Sequence, residues 1–132
     1  MQARKSIPIL AILAALAAPA QAARITSPAI EIQASGVMVC TLSNLGDTGI
    51  PMQVPQAITA SGAVLPVFTS CPTPFPTTLD PHHICTLTVG ATPSIGATVR
   101  MELAFGGSAK KLRAFCVTRT ATGIAEHSAD MR

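Results

Sequence analysis

Val99-Arg100-Met101-Glu102-Leu103-Ala104-Phe105 alternates in a way that decides the fold. Val99, Met101, Leu103 and Phe105 fall on one side of an extended chain, and Arg100 and Glu102 fall on the other. Period two with one apolar face is the pattern of a half-buried antiparallel strand. Gly106-Gly107-Ser108 follows, and then Lys111-Leu112-Arg113-Ala114-Phe115-Cys116-Val117 alternates again, with Leu112, Ala114 and Cys116 on one face. Two alternating runs around a short glycine-rich segment predict a β-hairpin.

Moving outward, the same period recurs. Val37 to Leu42 places Met38, Cys40 and Leu42 together, and Ser43-Asn44-Leu45-Gly46-Asp47 supplies turn chemistry after it. Ile84 to Val89 sets Cys85, Leu87 and Val89 against Thr86 and Thr88. Ile50, Met52 and Val54 alternate too, but Pro51 and Pro55 lack the amide that a ladder needs, which predicts an edge strand at best. Val64 to Cys71 reads as a strand interrupted by Pro66, and Ile30 with Ile32 as one more at the start. Short strands with frequent turn signals predict an all-β fold, a small antiparallel β-sandwich of about six or seven strands. From Thr120 to Arg132 the alternation fades, and residues 120–132 are expected to form a mobile tail after a domain spanning 23–119.

The beginning of the chain, MQARKSIPILAILAALAAPAQA, has Arg4 and Lys5, an apolar run from Ile7 to Ala18, and Ala20-Gln21-Ala22. A basic start, an apolar centre and a small-x-small ending are the parts of a secretory signal peptide, expected over residues 1–22 and cut after Ala22. The run is shorter than the roughly 20 residues that span a bilayer, so no transmembrane anchor is expected in the mature chain. The expected destination is periplasmic or secreted. The whole chain carries a formal +3; without Arg4 and Lys5 seven basic residues face six acidic ones, leaving +1. A near-neutral domain without a basic run gives no reason to expect nucleic acid as a partner. Lys110, Lys111 and Arg113 read as the solvated side of a strand.

Four cysteines in an exported domain of this size read as two disulfides. Cys71 ends one expected strand and Cys85 begins another, so a bridge there would clasp the loop between them. Cys40 and Cys116 lie on inward faces of the first and last major strands. The expected pairing is therefore Cys40 with Cys116 and Cys71 with Cys85, two of the three arrangements' six possible bonds. Chain-entropy reasoning assigns about 3 kcal/mol to the short loop and about 4 to the long one before native strain is subtracted.

The segment CPTPFPTTLDPHHIC, Cys71 to Cys85, also raises metal chemistry through His82, His83 and Asp80. Closed zinc sites use near pairs such as C-x₂₋₄-C or H-x₃₋₅-H. Here the cysteines are distant and the histidines adjacent, so on a regular strand the two rings would face opposite ways. With Cys85 oxidised, two imidazoles and one carboxylate remain. The clasp is the expected role, with Pro72, Pro74, Pro76 and Pro81 restricting the loop, and neither a metal nor any other cofactor is expected. Met38 and Met101 sit at inward positions, where methionine is core filler rather than a copper ligand.

No enzyme is expected: there is no G-x-S-x-G, no free thiol, and no carboxylate pairing of the glycosidase kind. The chain has no Trp and no Tyr, which weighs against a carbohydrate site. Phe105 and Phe68 are expected in the core. Phe75 and Phe115 are the expected exposed anchors for a protein partner, with burial against a second layer or an extra strand as the other possibility for Phe115.

Val39-Cys40-Thr41-Leu42-Ser43-Asn44-Leu45-Gly46 and Phe105 to Ala114 resemble small secreted bacterial proteins that carry a C-x-x-x-N-x-G first strand and a G-S-x-K-x-x-R-A final hairpin. The resemblance covers the first major strand and the final hairpin, and it implies a small antiparallel sandwich without any activity or cofactor. The expected function is that of an exported, non-enzymatic structural or interaction module with a protein partner in the cell envelope or outside the cell. The alternative is a periplasmic copper, zinc or small-ligand binder using the His82/His83 loop.

Overall fold

The computed structural model describes residues 23–90, 96–107 and 110–132; the expected leader, residues 1–22, lies outside the described residues. The fold is all-β, with two sheets and two disulfides. Among the described residues twelve strands form it: β1 (Ala23–Thr26), β2 (Ile30–Ile32), β3 (Val37–Asn44), β4 (Ile50–Met52), β5 (Gln56–Thr59), β6 (Val64–Leu65), β7 (Phe68–Thr69), β8 (Thr77–Leu79), β9 (Ile84–Gly90), β10 (Ala97–Phe105), β11 (Leu112–Arg119) and β12 (Ala125–Asp130). The number exceeds the expected six or seven because prolines and short breaks cut several stretches into two- to four-residue pieces.

β10 is the centre of the seven-stranded sheet. Along one edge it pairs first with β2 and then with β1, and along the other with β5 and then β4. The break between β1 and β2 is filled by Ser27, which is buried: its Oγ accepts from the Met101 amide at 2.8 Å, and its own amide donates to the Met101 carbonyl at 2.9 Å. The five-stranded sheet runs β12-β11-β3-β9-β7, all antiparallel. Between the sheets lies one core. Met38, Leu42, Leu87 and Val89 come from one layer, and Val99, Met101, Leu103 and Phe105 from the other.

The alternation of residues 99–117 is confirmed strand by strand, but the hairpin expected from it is not formed. β10 belongs to the seven-stranded sheet and β11 to the five-stranded one. Period two reports which face is buried and is silent on whether the next strand lies beside it or across the core. Here the two apolar faces oppose each other. Each end of the connection is tied to its own layer, the Gly106 amide donating to the Pro51 carbonyl at 2.8 Å and the Leu45 amide to the Lys111 carbonyl at 2.8 Å. Gly107, at φ 96°, supplies the left-handed conformation for this crossing.

Three further expectations are corrected. Residues 120–132 do not form a tail: β12 pairs with β11 from Phe115↔Asp130 to Arg119↔Ala125, through a bulge. Beyond it, Met131 is buried, and Arg132 exchanges two backbone bonds with Thr26 at 2.8 and 3.1 Å. β4 is not an edge, since it lies between β8 and β10, with Pro51 at an exposed position. The stretch interrupted by Pro66 changes layer there, β6 pairing with β5 in one sheet and β7 with β9 in the other.

Candidate interaction face

The two sheets present different outer surfaces. Outward side chains of the seven-stranded sheet include an ion-pair network in which Glu102 meets Arg100 at 3.0 Å and Arg24 at 3.5 Å. Residues directly opposite one another in an antiparallel ladder point to the same side, so the register lays out the other surface in rows. One row on the five-stranded sheet reads Phe68, Thr88, Val39, Val117 and Ser128; the next reads Thr86, Thr41, Phe115 and Asp130. A third holds Ile84, Ser43 and Arg113. β3 and β9 contribute no ionisable side chain to this face, and on β11 its charges, Arg113 and Arg119, lie near the ends.

Three large apolar side chains stand out from it, Phe68 and Ile84 at 67% exposure and Phe115 at 45%. Phe115 is thus exposed, and among the described residues no second layer covers it. Phe75 is not: it is partly buried and packed against the core, because the loop that carries it is pulled onto the sandwich at Cys71 and β8. Phe68, expected in the core, is the exposed ring instead. The proline at 66 moves the chain to the second layer, and the register with Thr88 then turns Phe68 outward.

Both expected disulfides are present. Cys40 and Cys116 are direct cross-strand partners on β3 and β11, with Cα atoms 4.0 Å apart, and both are fully buried. Cys71 follows β7 and bonds Cys85 on the adjacent β9. Cys71 is anchored further by its amide, which donates to Thr69 Oγ1 at 2.9 Å, while the Ser70 amide donates to the Thr86 carbonyl. The bonds before Pro74 and Pro76 in the enclosed loop are cis.

The histidines close the turn from β8 to β9. Asp80-Pro81-His82-His83 has its His83 amide bonded to the Asp80 carbonyl at 3.2 Å, and His82 has φ 59°. Proline second and a left-handed residue third is the pattern of a type II turn. The turn parts the two rings: His82 Nε2 lies 3.1 Å from Asp47 Oδ1, and His83 Nδ1 lies 3.7 Å from Asp80 Oδ2. All four side chains are exposed. Asp47, a partner that the sequence did not suggest, arrives from the β3–β4 loop. Among the described residues, no three His, Cys, Asp or Glu side chains converge on a point that could hold a metal ion.

Asn44 joins these loops from beneath. It is buried at the end of β3; its Nδ2 points at the carbonyls of Thr48, Leu79 and Asp80 at 2.8, 3.0 and 3.2 Å, and its Oδ1 accepts from the Gly46 amide at 2.9 Å. The C-x-x-x-N-x-G spacing therefore has a physical content: a cross-strand disulfide, a buried amide that bridges two loops, and a glycine whose amide meets it. No protein family, curated protein or solved structure matches the chain.

Proposed function

We propose that this chain is an exported, non-enzymatic β-sandwich that acts by contact with a protein partner in the cell envelope or outside the cell. The observation that supports it is the outer face of the five-stranded sheet, uncharged at its centre and carrying Phe68, Ile84 and Phe115. Exposed large apolar side chains set among uncharged threonines and serines, with charge kept to the edge, are the kind of anchors that protein contacts use. Export is supported by the leader-like start and by two disulfides, which persist in oxidising compartments.

A photo-crosslinking residue placed at Val39 or Phe115, compared with one at Thr98 on the other sheet, tests the proposal in intact cells. The expected result is a discrete adduct from 39 and 115 only, abolished by Phe68→Ser with no change in thermal unfolding. Adducts of equal yield from both faces, or from neither, would remove the basis for assigning this surface.

A further inference from the structure

The two outer surfaces differ in how they answer their own charge. On the seven-stranded sheet the cations are met from within the layer, since Glu102 takes both Arg100 and Arg24. On the five-stranded sheet they are not. Arg113 and Arg119 are exposed on β11, and on β3 they face Ser43 and Val37. On the β12 side Arg119 faces Ala125. Met131 is buried and its amide donates to the Ala114 carbonyl, so the ladder runs on and sets exposed Arg132, a like charge, beside Arg113. Neither Arg113 nor Arg119 enters an ion pair among the described residues, and Glu126, in the bulge near Arg119, makes none with it. The carboxylate that does face β11, Asp130, stands opposite Phe115.

Opposite charges set directly across a ladder stabilise it, and like charges oppose it. This face lacks the first and carries the second. Its cations are also spaced. Six residues of extended chain at about 3.3 Å each put Arg113 and Arg119 about 20 Å apart, with Phe115 and Val117 between them. A complementary surface therefore has carboxylates at two ends and apolar groups in its middle. A second copy of this chain does not meet that description: a two-fold contact lays the patch against itself, three arginines and Asp130 against the same set. A polyanion or an anionic bilayer does not meet it either, because its charge runs on evenly over Phe115 and Asp130.

We propose that the partner of this face is a different protein whose contact surface is acidic at its rim, with carboxylates that meet Arg113 and Arg119 on either side of an apolar centre seated on Phe115 and Val117. The proposal rests on the interaction reading and adds the partner's chemistry to it. Cations at such a rim act mainly on the rate of encounter and on its salt dependence.

The test places a photo-crosslinking residue at Val39 in intact cells and compares Arg113→Glu/Arg119→Glu with Arg113→Lys/Arg119→Lys. The expected result is about a tenfold loss of adduct for the glutamate pair and retention for the lysine pair, at equal thermal unfolding midpoints. Should the glutamate pair lower that midpoint, Arg113→Gln/Arg119→Gln keeps the test open, with a loss of about threefold expected. Sequencing the adduct should place the crosslink between Asp or Glu residues of the partner. Changing two of those to Lys should restore the adduct with the glutamate pair. An adduct undiminished by charge reversal, or one formed with a second copy of this chain, would overturn the proposal and leave the interaction reading standing. So would flotation of the purified protein with phosphatidylglycerol vesicles that the glutamate pair abolishes. No adduct from the chain with both arginines intact removes the interaction reading and this proposal together.

Discussion

Asn44→Ala is the most informative single change to this sandwich. The side chain is 1% exposed, and it supplies the partner of the Gly46 amide and of the Leu79 carbonyl in bonds that are buried. Its bonds to the Thr48 and Asp80 carbonyls are only part-buried, so water can replace it there. A buried polar group left without a partner costs about 1–3 kcal/mol, which for two such groups gives about 2–6 kcal/mol. Urea unfolding should show that loss as a lower midpoint at unchanged slope. Hydrogen exchange should place the loosening in residues 45–49 and 79–83, the two loops that Asn44 joins. Asn44→Asp separates hydrogen bonding from shape. It keeps the acceptor toward Gly46 but turns a carboxylate oxygen on the Leu79 and Thr48 carbonyls, so at pH 7 it should lose at least as much as the alanine variant. Protonating that carboxylate restores one donor, and the deficit should shrink as pH falls. A loss below about 0.5 kcal/mol for Asn44→Ala, or full stability for Asn44→Asp at pH 7, would refute the reasoning.

The double variant Cys71→Ser/Cys85→Ser should cost up to about 3 kcal/mol by chain entropy and speed exchange through residues 72–84; equal deprotection across 99–105 and 112–117 would contradict a local clasp. Phe105→Ala, from a fully buried site, should cost about 3–5 kcal/mol in the same urea assay. Gly36→Ala should lose about 1–3 kcal/mol, since a Cβ would meet the backbone oxygens of Arg119 and Gln33 at 2.8 and 2.9 Å, whereas Gly90→Ala, with open space around it, should lose nothing measurable.

Much of the architecture was legible because burial imposes period two. β3, β9, β10 and β11 each bury the alternate residues that their sequences nominate. The disulfide pairing followed from the same alternation, which put Cys40 and Cys116 inside. What alternation does not carry is neighbourhood, and the 99–117 stretch shows the cost: two correct strands, assigned to one sheet although they belong to two. β12 was missed because AEHSAD is an edge strand of mostly exposed, polar residues, held by backbone bonds that leave little trace in side-chain pattern. The interaction face was half legible. Phe115 stood on the polar side of its strand, but Phe68 and Phe75 exchanged roles because a layer change at Pro66 and a bridge at Cys71 reorient their backbones. Asn44 looked like turn chemistry, and nothing in the sequence indicated that the 79–80 carbonyls would come to it.

Both bridges fall inside the five-stranded sheet, one between β3 and β11 and the other beside β7 and β9. The seven-stranded sheet has none, so the molecule resembles a laminate with one welded ply and one unwelded. Once the shared core is lost, the bond between Cys40 and Cys116 still holds β3 beside β11, while no covalent tie joins any two strands of the other layer. A chain opened in this way keeps Val39 and Phe115 close together, because they flank Cys40 and Cys116 on the two bridged strands.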